Sequence, residues 1–138
     1  MRIKFMIDNE YDTILNKIFN GIDLTQYNCR IEEEEVYNEV GQVFFNELTY
    51  TGKELVEIIK QSHYPNFLNL QFYTGNIANN PIQNYEQFIN SNCEMVILIV
   101  DSIFVEVYCK NQENIKKIFI NATDNNFSNI EMCKESRR

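Results

Sequence analysis

Residues 94–109, Glu94-Met-Val-Ile-Leu-Ile-Val-Asp-Ser-Ile-Phe-Val-Glu-Val-Tyr-Cys109, are the stretch from which the fold of this chain can be built. Met95 to Val100 is an unbroken apolar run, which suits a mid-sheet strand with both faces covered. Ile103, Val105, Val107 and Cys109 alternate with Phe104, Glu106 and Tyr108, so the second arm has one more polar face. Between the arms, Asp101 and Ser102 suit a tight turn because their side chains bond nearby backbone amides. A two-residue turn there would pair Val100 with Ile103. In that register Cys93 and Cys109 point to opposite faces and form no disulfide, whereas a three-residue loop would reverse that conclusion.

Working outward, Ile3, Phe5 and Ile7 alternate with Arg2, Lys4 and Met6 as a first strand with one face inward. Asp8 or Asn9 can cap a helix carrying Tyr11, Ile14, Leu15, Ile18 and Phe19 as an apolar stripe, ended by Asn20-Gly21. In 26–46, Tyr27, Cys29 and Ile31 alternate like a strand while Val36, Val40 and Phe44 recur like a helix; strand pieces around a turn are the favoured reading. Thr51-Gly-Lys-Glu54 is a capping box opening a helix with Leu55, Ile58 and Ile59 on one side and Val56 at its margin. Phe67 to Thr74 reads as a strand with Leu68, Leu70 and Phe72 on one face and Phe67 and Tyr73 on the other. A polar loop from Gly75 to Gln83 leads to a short helix, Tyr85 to Asn90, presenting Tyr85, Phe88 and Ile89. After the hairpin, Asn111 or Gln112 starts a helix with Ile115, Ile118, Phe119 and Ala122 inward. Phe127 to Cys133 supplies a last strand before the basic tail Lys134 to Arg138, which is expected to fray. The order lacks strict βα alternation. It predicts one α+β domain over 1–138, with a mixed or mainly antiparallel sheet, the central hairpin at 94–109 and about four helices mostly on one face.

Composition narrows the function classes. A chain of 138 residues with 44% apolar content buries enough surface to fold without disulfide or metal staples. The start lacks the apolar stretch of a secretory signal, and no apolar run is long enough to span a bilayer, so a cytoplasmic protein is expected. The glycosylation sequons at Asn121 and Asn126 are then chance matches. Cys29, Cys93, Cys109 and Cys133 show no zinc-like spacing and read as buried, free thiols. Net charge is −8, and between Glu32 and Glu57 eight carboxylates face a single Lys53, while 110–138 holds six basic residues against four acids. Such a chain repels nucleic acid and anionic membrane, whereas a basic protein partner fits it.

Motif chemistry is sparse. Phosphate loops, G-x-S-x-G elbows and H-E-x-x-H are missing, and no residue is assigned to catalysis, cofactor or metal. His63, the one histidine, precedes a proline by two positions and reads as an exposed loop residue. Cys109 shares a buried face with Val107, which favours packing over nucleophilic chemistry. Glu32, Glu33, Glu34 and Glu35 are contiguous, so they cannot converge on one cation as the spaced acids of a calcium loop do. They form a solvated edge, and as the candidate partner-binding residues they would meet a basic surface in fast, salt-sensitive association. The leading expectation is a non-enzymatic, inhibitor- or immunity-like protein-binding module. The alternative is a small-molecule binder or minor enzyme whose pocket is lined by Tyr64, Phe67, Tyr73 and Tyr85. A third is a module that oligomerises through an exposed strand edge.

Tyr85-Glu-Gln-Phe-Ile-Asn-Ser-Asn-Cys93, Val96-Ile-Leu-Ile-Val-Asp101 and Val107-Tyr-Cys-Lys110 together resemble a small family from low-GC Gram-positive bacteria, catalogued as domain of unknown function 2691. Phe127-Ser-Asn-Ile-Glu131, the opening strand and the capped helix at 51 fit the same pattern, so the resemblance covers nearly the whole chain. It implies a bacterial cytosolic protein and carries over no activity, cofactor or catalytic residue.

Overall fold

The structure, a computed structural model, describes residues 1–8 and 10–133. Its elements follow the expected order: β1 (Arg2–Met6), α1 (Ile14–Ile18), β2 (Asn28–Tyr37), β3 (Thr49–Thr51), α2 (Gly52–Ile58), β4 (Tyr64–Tyr73), α3 (Tyr85–Ile89), β5 (Met95–Val100), β6 (Phe104–Cys109), α4 (Gln112–Asp124) and β7 (Ser128–Cys133). The strands form one sheet in the order β3-β2-β4-β5-β6-β1-β7, and every pairing is antiparallel. The fold is α+β, with the apolar run 95–100 at the sheet's centre.

One face of the sheet carries the main core. Ile3 and Phe5 of β1, Cys29 and Ile31 of β2, Leu68, Leu70 and Phe72 of β4, and Met95, Ile97 and Ile99 of β5 all point into it. Helices α1, α2 and α4 cover it with Leu15 and Ile18, with Leu55, and with Ile115, Ile118 and Ala122. Two buried asparagines tie α4 down: Asn114 Nδ2 donates to Tyr27 Oη at 2.9 Å, and Asn121 Nδ2 donates to the Ile18 and Asn20 carbonyls at the end of α1. Because those asparagines take the inward positions, Phe119, expected inside, is exposed. Helix α3 lies on the opposite face, where Phe88 joins Tyr73, Ile82, Cys93, Val96 and Tyr108 in a second, smaller core. Ile89, also expected inward, is exposed.

Local signals set most of the boundaries. The Thr51 hydroxyl accepts from Glu54 N–H at 3.1 Å and Glu54 Oε1 accepts from Thr51 N–H at 2.8 Å, completing the capping box. Gly21 adopts φ +82 just beyond α1, as the Asn-Gly stop signal requires. The start of α1 differs from expectation. Asn9 lies outside the described residues, and the helix begins only after Thr13, leaving Tyr11 exposed. Asp12 is held extended instead, its backbone exchanging bonds with that of His63 at 3.2 and 2.9 Å. The region 26–46 is strand and turn, as favoured, with a reversal at Asn38–Gly41 that exposes Val40. The basic tail 134–138 lies outside the described residues.

The hairpin's register corrects the sequence reading. Val100 pairs with Phe104 and Met95 with Cys109, so the loop has three residues. Asp101 and Ser102 both have positive φ and close a tight turn through Ile103 N–H to the Val100 carbonyl at 3.3 Å. Ile103 nevertheless stays out of the β5–β6 ladder, because its carbonyl accepts from Ile7 N–H at 2.8 Å. The four cysteines are free. Cys93 precedes β5 and turns to the second core, whereas Cys109 lies in the main one, so their separation holds for a different reason from the one expected.

Gly52 marks a close approach between elements. Its N–H donates to the Tyr27 carbonyl, and a Cβ there would stand 1.8 Å from the Leu24 carbonyl oxygen. Gly52→Ala is therefore expected to cost roughly 3 kcal/mol in urea unfolding. Gly75→Ala, where a Cβ meets nothing within 4 Å, should stay within about 0.5 kcal/mol of wild type.

Candidate functional site

The four contiguous glutamates do not form one edge. In β2, Ile31 pairs with Leu70 and Glu33 with Asn69, which makes Glu32 the extra residue of a β-bulge. Glu32 and Glu33 therefore both face the second side of the sheet, as does Glu35 opposite Phe67. Glu34, opposite Leu68, turns to the helix-covered side. Its Oε2 is buried without a hydrogen bond, and burial pushes its carboxyl above the usual range.

Glu32 is structural. Its side chain is only 12% exposed, and it accepts from Gln71 Nε2 at 3.2 Å, Ile82 N–H at 3.2 Å and Asn69 Nδ2 at 3.4 Å. Asn69 Nδ2 also donates to the Ile82 carbonyl at 2.8 Å, so the two side chains grip both sides of one loop residue. Arg30 reaches the Ala78 carbonyl at 3.1 Å, and Asn28 reaches that of Gly75 at 3.0 Å. The network continues through Gln71 to the hydroxyl of Tyr73. This clasp holds the 75–84 loop over the second core.

The clasp covers only part of that face, and three transverse rows of side chains show how far it reaches. The first, Arg30, Gln71, Val96, Tyr108 and Arg2, lies against the loop and α3, and Arg2 sits 5.0 Å from the Tyr85 ring centre. The second is Glu33, Asn69, Leu98, Glu106, Lys4 and Glu131. The third, Glu35, Phe67, Val100, Phe104 and Met6, is open. Val100 is 45% and Phe104 50% exposed, so β5 is covered on both faces only at its start, a correction to the expected full coverage. Two adjoining grooves, of about 390 and 320 Å³, share Leu98 and Val100 and make one trough across the strands. Within it Glu106 is already compensated by Lys4 at 3.7 Å and Arg2 at 3.9 Å, and it also accepts from Tyr108 Oη at 3.0 Å.

The other sequence candidates resolve separately. His63 is fully buried rather than exposed, packed on the Phe44 ring at 4.7 Å. Its Nε2 accepts from Leu15 N–H at 3.1 Å and its Nδ1–H donates to the Gln61 carbonyl at 2.7 Å, which fixes a neutral ring with no nitrogen left for chemistry. Burial drives its pKa below the ordinary value, against smaller opposing effects of Gln61 and Asp12. Burial likewise pushes the thiol of Cys29 up to about 12 and those of Cys93 and Cys109 to about 11, so none is a thiolate at neutral pH. Ser102 Oγ donates to Asn66 Oδ1 at 2.8 Å and serves the turn. The four aromatics are divided: Tyr73 and Tyr85 belong to the second core, Phe67 lines the trough, and Tyr64 packs tilted against Tyr11 at the other end of β4. Sequence reasoning missed the trough, although alternation in 103–109 already set Phe104 opposite the core-facing residues.

The family described as "Protein of unknown function (DUF2691)" matches residues 1–138. The chain belongs to that family. It is also similar to the "Uncharacterized protein YncE" of Bacillus subtilis (strain 168), with 29% identity over 96% of this chain and 91% of that protein. No solved structure matches it significantly. Among the described residues no helix is long and apolar enough to cross a membrane, and no cluster of His, Cys, Asp or Glu is arranged to hold a metal ion.

Two measurements check these assignments. Glu32→Ala should lose about 2–3 kcal/mol, because three donors lose a charged acceptor, and should speed amide exchange through 75–84. Glu33→Ala and Glu35→Ala, at exposed positions, should each change stability by less than about 0.5 kcal/mol. For His63, the unfolded state takes up its proton near pH 6.5 while the folded state resists it. Its contribution is therefore complete above about pH 6.5 and is lost as pH falls toward the lowered folded value. Urea midpoints between pH 7.5 and 5 should show this decline in wild type, and His63→Phe should remove that part of the slope.

Proposed function

We propose that the protein is a non-enzymatic binding module that docks a basic protein partner on the open half of its second sheet face. The observation that carries this reading is the apolar row Phe67, Val100, Phe104 and Met6 on interior strands, bordered by the exposed carboxylates of Glu33 and Glu35. Contiguous apolar surface rimmed by charge is where soluble proteins meet partners. The acidic border and the chain's net −8 select a cationic counterpart and favour rapid, salt-dependent encounter. Of the four glutamates singled out in the sequence, this reading keeps Glu33 and Glu35 as partner-binding residues and assigns Glu32 to the fold. The thiols of Cys29, Cys93 and Cys109 are deeply buried (Cys133, expected buried, is only partly so) and His63 is a hydrogen-bonded neutral ring, which supports binding over catalysis.

Capture from a native-host extract at low salt, run in parallel with the doubly substituted Val100→Ser/Phe104→Ser protein, tests the reading. The two proteins should melt within a few degrees of each other because both positions are half exposed. Wild type should retain a basic protein that is released at high salt, and the variant should retain at least tenfold less. Capture that is equal for both proteins would overturn the assignment to this face.

A further inference from the structure

The chemistry of the trough specifies the shape of its occupant as well as its charge. It is lined from Glu33 on β2 to Asn129 on β7, with Glu35 and Glu131 beside its two ends, across six strands and about 24 Å at ordinary strand spacing. Its two rows lie two residues apart along each strand, about 7 Å. One side is bounded by Gln83, next to the clasped Ile82, and the other is open. Strands β4, β5, β6 and β1 are interior, with their ladders already paired on both sides. An incoming extended segment could not add to them, and its own amides would lie unpaired against apolar side chains. A helix satisfies its backbone internally and offers only side chains.

Charge argues against a second copy. A two-fold axis along β5 would set Glu33 of one molecule over Lys4 of the other, yet Lys4 is already shared with Glu106. The same axis would seat Glu35 over the apolar Met6, leaving its charge without a partner between two chains of net charge −8 each. Both ends of the trough are acidic, and between them lie the apolar Leu98, Val100 and Phe104 beside the mutually compensated Glu106 and Lys4.

We propose that the trough receives a cationic amphipathic helix of the partner, about 16 residues long at 1.5 Å per residue. This rests on the docking reading above. The helix lies across the strands with its apolar side on Leu98, Val100 and Phe104. Its Lys or Arg residues reach Glu33 and Glu35 at one end and Glu131 at the other.

The test uses a labelled 16-residue Leu/Lys amphipathic peptide and a Leu/Glu peptide of the same pattern, titrated against the full chain by fluorescence anisotropy. The Leu/Lys peptide should bind and gain helical circular dichroism, and the Leu/Glu peptide should do neither. The decisive variant is V100E/F104E. It adds two negative charges, so diffuse attraction alone predicts tighter binding, whereas loss of the apolar seat predicts binding at least tenfold weaker. E33K/E35K should also weaken binding and flatten its dependence on salt, and its exposed positions keep the fold intact. Equal or tighter binding by V100E/F104E overturns the proposal, as does a wild-type dimer that V100E/F104E disperses in light scattering. Failure of the Leu/Lys peptide, with Val100- and Phe104-dependent capture of a host protein retained, overturns the helix and leaves the docking reading standing.

Discussion

The antiparallel pairing of β5 with β4 and β6 is the constraint on which the rest of the structure depends. With three strands on either side, β5 presents Met95, Ile97 and Ile99 to the helix-covered core, each worth about 1.5–3 kcal/mol when fully buried. Its alternate residues grade from Val96, fully buried, through Leu98 to Val100, half exposed. That gradient follows the reach of the 75–84 loop and α3, which cover the face near Val96 and stop short of Val100. A strand whose composition suits burial on both sides is thus only partly enclosed.

What sets the limit of that cover is polar. Glu32 is taken from water, and its cost is offset because Gln71, Asn69 and the Ile82 amide all donate to it. The bulge makes this geometry available, since a regular strand would give Glu32 and Glu33 opposite faces. The same bulge sends Glu33 and Glu35 to the open face and Glu34 to the covered one. Neighbouring residues of one chemical type thereby acquire three roles: clasp, border and half-buried acid.

Much of the fold was legible because its signals are local. Alternation located β1, β4 and the hairpin, and Thr51 with Glu54 announced α2. The exceptions all turn on partners distant in sequence. The hairpin register depends on Ile7, about a hundred positions away, claiming the Ile103 carbonyl. His63 is buried because Leu15 and Phe44 enclose it, and neither is its neighbour in the chain. Phe119 is displaced from the core by Asn114 and Asn121, whose acceptors lie on Tyr27 and at the end of α1. The acidic run was legible as charge but not as a site, since a bulge leaves no mark in a row of identical residues. The aromatic set at 64–85 was scattered by β4 itself, a ten-residue strand whose ends lie about 30 Å apart.

Apolar side chains left open on a sheet are tolerable only where they do not invite strand addition. The exposed Val100 and Phe104 satisfy that condition because they stand on interior strands whose backbone is paired on both sides. The sheet's true edges are poor templates: β3 has three residues, and β7 is irregular where Asn129 takes positive φ. A net charge of −8 further opposes contact between like molecules. On the docking reading, interior pairing and like charge disfavour strand addition and self-association as ways to cover the open face, while its apolar side chains stay available. A partner that supplies apolar side chains, positive charge and no unpaired backbone meets all of those constraints at once.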